Sequence, residues 1–561
     1  MIRRDFLKGA LGAGVVGGVG AAAAAQPASP AAILKRRRPN YFFYHDGRHP
    51  LIYMYEPPMQ KEEYEQGVDE LIGTPVEAIS FAMGDGRTVL HDTKVGELWG
   101  HNVKKWSHII FRRAHQNAKH LIDTGHDPLR LICDRAHAKG KLLYPALLLQ
   151  QGTRDREVDV RASNFNLENK HLYIAAAGKL PEGYRHATCL DFKHEVVRNE
   201  RFAIIEETLS RYPVDGFELQ MNYSPVYFHP NEVEAGSAVL TDWVARVYRA
   251  VKASGPEREL IIRIPSSLEG CYSIGMDIKE WIRRGIVDAL IPQNFSGPEL
   301  IDPNADYRPV VDAAKGSGCR VLAALHSHLD SDRLDEANIA LVRGAASNYW
   351  QQGIDGLYLA HWFGNWPYDA AFYEKLREIS DPEVMAAKDK SYFISTVTGR
   401  YPNPTTEPGL EMQLPADLHV GQPKEFEIAV SDDLPRWGDV DRIHEVLLRV
   451  RIGSTTELDR LTFRLNGKPL PDSLLRKINS VYRMSAPRFR VFGYWHIFSL
   501  DREHWPVHGK NTVEITLTSR DPDVTPQIFV RDIELDVQYL MGKNFHRGQD
   551  PDLGPTVLDM N

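Results

Sequence analysis

The segment Asp215-Gly216-Phe217-Glu218-Leu219-Gln220-Met221-Asn222-Tyr223 is where residue types and spacing most directly imply chemistry. Read as a β-strand, its alternation sets Glu218, Gln220 and Asn222 on one face and Phe217, Leu219 and Met221 on the other. Strands of a parallel sheet are buried on both faces and normally read as continuous apolar runs. Three successive polar residues on an inward face therefore need hydrogen-bond partners, either one another or a ligand. A satisfied structural layer and the floor of a binding pocket are the two readings of this pattern.

Further acids stand where other apolar runs end. Asp85 follows one in Met83-Gly84-Asp85-Gly86, Glu97 lies in the long segment behind it, and Asp46 comes directly after His45. If the substrate is a glycoside, its cleavage needs two carboxyl groups, one to protonate the leaving oxygen and one to attack or to activate water. Glu218, Asp85 and Glu97 are the expected catalytic group, although Asp beside Gly is also ordinary turn chemistry. The remaining run ends suit sugar binding: His45 and Asp46, then Gln220, Asn222 and Tyr223, then Arg263, then Gln293 and Asn294, then His326 and His328, and finally His361, Trp362 and Asn365. Amides, imidazoles and guanidinium groups hydrogen-bond hydroxyls, and an aromatic face stacks on the apolar side of a sugar ring. His326-Ser327-His328 also reads as a metal pair, but no third ligand stands at useful spacing, so no metal is expected. Dinucleotide, phosphate-loop, His-Glu-x-x-His and Gly-x-Ser-x-Gly motifs are absent, so no cofactor is expected.

These residues need a frame, and the chain supplies a count of eight. Apolar or β-branched runs at Tyr41–His45, Val76–Met83, Lys141–Leu149, Gly216–Tyr223, Glu259–Pro265, Ala289–Phe295, Arg320–His326 and Gly356–His361 alternate with amphipathic helical stretches. Alternating strands and helices call for a parallel sheet, and eight such units close into a (β/α)₈ TIM barrel. Asp215-Gly216 and Asp355-Gly356 each open a strand where a helix ends, a place where Gly tolerates positive φ. Two long insertions, 84–110 and 150–193, follow the second and third strands, on the side where this fold builds its sites. Beyond a Pro-rich passage at 400–415 the pattern changes to period-two alternation with turns at Asn466-Gly467 and His508-Gly509, the mark of a C-terminal β-sandwich. The expected organisation is a leader at 1–30, a linker at 31–39, the barrel at 40–384, a second linker at 385–419, the sandwich at 420–541 and a tail at 542–561.

Residues 1–30 read as an address. Arg3-Arg4-Asp5-Phe6-Leu7-Lys8 resembles the twin-arginine export signal, followed by a Gly/Ala stretch and small residues for cleavage before Gln26. The expected location is periplasmic or extracellular, with no membrane contact after cleavage. The chain carries a net charge of −8, and losing residues 1–25 makes it more acidic, which argues against nucleic acid and anionic lipid as partners. Four scattered cysteines do not make a disulfide scaffold.

The 215–223 strand resembles the fourth strand of the glycosyl hydrolase-like barrel proteins of environmental bacteria and, more distantly, the chitinase pattern Asp-x-x-Asp-x-Asp-x-Glu. On this chain the pattern meets Asp215, Glu218, Gln220 and Asn222. Two carboxylate positions are amides here, including the one that would be the general acid, and an amide cannot donate and recover a proton at neutral pH. The resemblance implies a (β/α)₈ barrel with a carbohydrate substrate. An exported glycoside hydrolase and a carbohydrate-binding protein that has lost its acids are the two functional expectations, with an extracellular scaffold as a third.

Overall fold

The computed structural model describes residues 38–51, 56–293, 300–329, 336–396, 412–479, 493–542, 547, 549–550 and 554–555. The leader, Asn294 and most of the tail lie outside them. Eight parallel strands, β1 (Tyr41–His45), β2 (Ala78–Asp85), β3 (Leu142–Leu148), β4 (Gly216–Gln220), β5 (Glu259–Pro265), β6 (Ala289–Gln293), β7 (Arg320–Leu325) and β8 (Gly356–Leu359), pair in chain order. β1 pairs with both β8 and β2, so the sheet closes into a barrel. Around it run α1 (Lys61–Asp69), α2 (Ile109–Asp123), α3 (Pro128–Ala138), α4 (Glu195–Arg211), α5 (Val233–Ser254), α6 (Ile278–Arg283), α7 (Arg308–Ala314), α8 (Ile339–Gln351) and α9 (Ala370–Ile379).

The Asp-Gly pairs work differently from the expectation. Neither Gly216 nor Gly356 has positive φ. A Cβ on Gly216 would meet the Tyr144 ring at 2.2 Å, and one on Gly356 would meet the Asn40 carbonyl oxygen at 1.9 Å, so both are needed for close approach. Each preceding aspartate accepts a backbone N–H of the neighbouring strand, Leu143 to Asp215 and Val321 to Asp355, both at 2.8 Å. Asp288 does the same for Leu260 at 2.8 Å. Asp215, the first residue of the chitinase-like pattern, is thus a strand-entry brace at the base of the barrel and not a site residue. The base is closed by Glu259, which accepts from Tyr144 Oη at 3.0 Å, Arg320 Nη2 at 2.6 Å and Arg38 Nε at 2.7 Å.

The C-terminal part is a β-sandwich of two antiparallel sheets. One holds β9 (Lys390–Phe393), β16 (Phe529–Tyr539), β11 (Ile443–Gly453), β14 (Tyr494–Ser499) and β13 (Leu475–Asn479) in that order, and the other holds β10 (Pro423–Val430), β15 (Gly509–Ser519) and β12 (Arg460–Leu465). Their inner faces share one core, in which Phe426, Ile428 and Val513 of one sheet meet Leu448, Val450 and Ile533 of the other. β9 comes from the stretch read as linker, because four residues are too short a run to stand out in sequence. No helix among the described residues is long and apolar enough to cross a membrane.

Barrel and sandwich meet closely. Asn348 on α8 donates to the Ala429 carbonyl at 2.9 Å, and Asn304, after β6, donates to the Phe393 carbonyl at 2.8 Å. A Cβ on Gly344 would lie 2.3 Å from the Ser391 carbonyl oxygen, so α8 lies backbone-to-backbone against β9 only because that residue is glycine. Gly344→Val is expected to lower unfolding stability by about 1–3 kcal/mol through overpacking. Denaturant titration checks this; an unchanged midpoint would show that the two layers can separate freely.

Candidate active site

The centre of the barrel is solid. Glu218 Oε1 accepts Arg263 Nε at 2.8 Å and also Arg263 Nη2, while Oε2 accepts Tyr358 Oη at 2.7 Å and the Ser80 hydroxyl. Both charged side chains have no exposure. The guanidinium lies 4.1 Å from the Tyr44 ring centre and 4.7 Å from that of Tyr358. Burial works against the Arg263 charge, but Glu218 outweighs it and holds the group above its ordinary range. Glu218 thus sits in a closed layer with both oxygens engaged, out of reach of a substrate, which answers the question left open by the sequence in favour of a structural layer. Gln220, one step higher, accepts the Tyr44 hydroxyl at 3.5 Å.

Above this plug the polar stripe continues. Asn222 is 1% exposed, and neither of its amide atoms has a hydrogen-bond partner among the described residues. Gln293 Nε2 lies 3.4 Å from His326 Nε2, and its carbonyl oxygen has no partner among the described residues. His326 stacks on His361 at 6.3 Å, and His361, held at φ 59°, leans on Tyr44 at 5.6 Å. His328 Nδ1 pairs with the Ser327 hydroxyl at 2.9 Å, which in turn approaches Asn365 Oδ1 at 3.3 Å. His328, His361, Asn365 and Tyr223 are half-buried, so solvent reaches this rim.

Two expected ligand residues are elsewhere. Trp362 is fully buried; its indole donates to the Leu325 carbonyl at 2.8 Å and its ring meets Phe372, so it is a packing residue and not a sugar platform. His45 lies on the outer face of β1, stacked on Phe81 at 5.1 Å beneath α1, because alternation sends it away from the barrel axis.

Asp85 reaches the mouth through an irregularity. The β2–β3 register shifts between Ala82 and Gly84, a bulge that sets Asp85 opposite Leu148, itself opposite Gln220. Register partners share a face, so the bulge turns Asp85 inward, where simple alternation from Ser80 would turn it out. Gly84, at φ 144°, lets the chain fold back on the short strand Thr88–Val89; a Cβ there would meet the Thr88 carbonyl oxygen at 2.2 Å. Thr88 pairs with Asp85 on one side and Glu97 on the other, which places both carboxyl groups on one face, separated by two strand spacings, about 10 Å at the backbone.

Each acid has a cation beside it. Asp85 Oδ2 accepts the Trp99 indole at 3.0 Å and is paired with Arg161 at 3.2 Å and Arg48 at 3.4 Å. Arg48 also reaches Asp46 at 3.5 Å, and burial of its charge is outweighed first by Asp85 and then by Asp46. Asp46 accepts the backbone N–H groups of Arg48 at 3.0 Å and His49 at 2.7 Å. Burial raises the Asp46 carboxyl, but Arg48 and the neighbouring histidines bring it below its ordinary range. Glu97 pairs with Arg87 at 3.4 Å, and Arg87 with Glu200 at 3.6 Å. Burial raises the Glu97 carboxyl above its ordinary range against the pull of Arg87. Arg48, Tyr44, Tyr358, Ser80, Trp99 and Arg161 were not foreseen. Tyr44 and Tyr358 read as apolar strand residues, while Arg48 had a signal in its place directly behind the first strand. No three His, Cys, Asp or Glu among the described residues are grouped to hold a metal ion.

This is a closed parallel (β/α)₈ barrel with acids at its C-terminal mouth. No protein-family profile matches the chain, and no curated protein does. Among solved structures it is similar to the PgaB (BpsB) glycoside hydrolase domain from Bordetella bronchiseptica, at 12% identity over 61% of this chain and 99% of that one, with a TM-score of 0.41. It is similar to alpha-L-fucosidase isoenzyme 2 from Paenibacillus thiaminolyticus, at 11% identity over 62% of this chain, with a TM-score of 0.39; the chain spans 50% of that protein. It is also similar to a class V chitinase from Pseudomonas fluorescens, at 12% identity over 60% of this chain and 98% of that one, with a TM-score of 0.33. At such identity these are likenesses of fold.

Removing one partner of a buried ion pair leaves the other charge uncompensated, so Glu218→Gln is expected to destabilise the fold by about 3–5 kcal/mol. Chemical denaturation measures it, and a loss below about 1 kcal/mol would contradict the structural role. Burial also lowers His45 to about 3 and His91 to about 4. The unfolded chain takes up these protons near pH 6.5 and the folded one only at pH 3–4, so their contribution is complete above about pH 6.5 and is lost as pH falls through that window. Unfolding curves from pH 7 to pH 4 test this, and the slope should shrink in His91→Phe.

Proposed function

We propose that this protein is a glycoside hydrolase that holds a poly- or oligosaccharide at the C-terminal mouth of its barrel and cleaves it with Asp85 and Glu97. The observation that carries this reading is the shared face of the two carboxyl groups, about 10 Å apart at the backbone. Carboxyl separations of about 6.5–9.5 Å belong to inverting enzymes and separations near 5 Å to retaining ones, so the anomeric configuration of the first product reports the distance between the two groups at work. Glu97, whose carboxyl is raised by burial, suits the general acid. Asp85, between Arg48 and Arg161, suits the group that activates water. Asn222, Gln293, His326 and His361 supply hydrogen-bonding groups for hydroxyls beside it.

A second reading, a carbohydrate-binding protein without turnover, is favoured by one observation: Glu218, the remaining acid of the strand, is consumed by Arg263, Tyr358 and Ser80. One experiment separates the two. The chain lacking residues 1–25 is incubated with a panel of polysaccharides and new reducing ends are assayed. Release that falls at least about 100-fold in Asp85→Asn and in Glu97→Gln is the expected result. Binding without release, equal in all three proteins, would establish the second reading instead.

A further inference from the structure

We infer that the cleft between the base of the barrel and the sandwich is a second glycan-binding site, which holds an uncharged stretch of a sugar chain away from the acids of the mouth. That the ligand is a glycan rests on the proposed function; the place and the charge preference do not. The cleft encloses about 640 Å³, within the roughly 300–1,000 Å³ usual for ligand sites. One wall is the end of α8, with Ser347, Trp350 and Gln351, and the other is the short sandwich helix Leu434–Gly438, with Arg436 and Trp437, beside His508. In a (β/α)₈ barrel each helix returns the chain from the mouth to the base, so the last turn of α8 lies a strand length, roughly 20 Å, below the level of Asp85 and Glu97.

The floor of the cleft is already satisfied. Lys390 Nζ donates to Asp432 Oδ1 at 2.8 Å and to the Ala386 and Lys388 carbonyls at 3.3 and 3.2 Å, and Asp432 also accepts the Tyr392 and Tyr539 hydroxyls, each at 2.8 Å. The walls are not. Trp350 and Trp437 bring half-buried indole surface to either side, and the Trp350 N–H is engaged by the Ile379 carbonyl at 2.9 Å, which leaves that ring an apolar face. The side-chain amide of Gln351, the guanidinium of Arg436 and the imidazole of His508 are exposed, and none is hydrogen-bonded or ion-paired among the described residues. A sugar ring matches this division, since its C–H side packs on indole and its hydroxyls take amide, guanidinium and imidazole groups. The charge fits an uncharged ligand. Apart from His508, two acids, Asp432 and Asp433, face two bases, Lys390 and Arg436, so the lining offers no excess charge to an ion.

The test is migration of the full chain in native gels containing soluble polysaccharide: β-glucan, glucomannan, galactan, starch and, as the anionic member, polygalacturonate. At least one neutral polymer should retard the protein. Its apparent affinity should fall about tenfold in Trp437→Ala and in the double variant Gln351→Ala/His508→Ala. Gln351 and His508 are exposed, so the double variant decides the case even where Trp437→Ala does not fold. Unchanged retardation in the double variant overturns the inference, and so does retardation by polygalacturonate alone or by no polymer. Retardation lost in Asp85→Asn and Glu97→Gln but kept in both cleft variants places all glycan binding at the mouth, which overturns the inference and leaves the proposed function standing. Release of reducing ends, assayed separately, decides that function whatever the gels show.

Discussion

A carboxylate and a guanidinium shut together in the axis of a barrel impose their geometry on everything around them. Glu218 and Arg263 have no water to turn to, so Tyr358 and Ser80 must come across from β8 and β2 to complete the carboxylate, and Tyr44 must cover the guanidinium. Five strands are tied through one charge pair, and the interior below the mouth becomes solid. The one acid of β4 is thereby engaged within the barrel, and the acids of the mouth come from the ends of other strands and the segments after them.

At the rim a different device takes over. The bulge before Asp85 reverses the facing of one side chain, and the two short strands behind it carry Glu97 round to the same side. Arg48 from the turn after β1, Trp99 from the insertion after β2 and Arg161 from the insertion after β3 all converge on Asp85. Three segments far apart in the chain are organised by a single carboxylate, so its position is better determined than that of an ordinary loop residue.

The architecture was legible because period-two and helical runs alternate without ambiguity: the eight barrel strands lie where the apolar runs predicted, their ends displaced by two residues or fewer except at β4, whose ladder stops three residues short of Tyr223. The site was only partly legible. Alternation assigned the inward face of β4 correctly, but it cannot tell a sealed layer from an open one, since that depends on Arg263 and Tyr358 arriving from other strands. It would also have turned Asp85 outward, because a bulge leaves no mark except a glycine. Trp362 and His45 went astray for a common reason: proximity to a strand end says nothing about which side of the sheet a ring occupies.

Within a dozen residues of Gln293 in the chain, Asp302 accepts from Ser395 at 3.0 Å and Asn304 grips Phe393 and Ala429, both in the sandwich. The segment between β6 and β7 is therefore braced by the second domain. In engineering terms the sandwich is a retaining strut and not a detachable accessory, and trimming it away would strip Asp302, Asn304 and Asn348 of the partners that moor them.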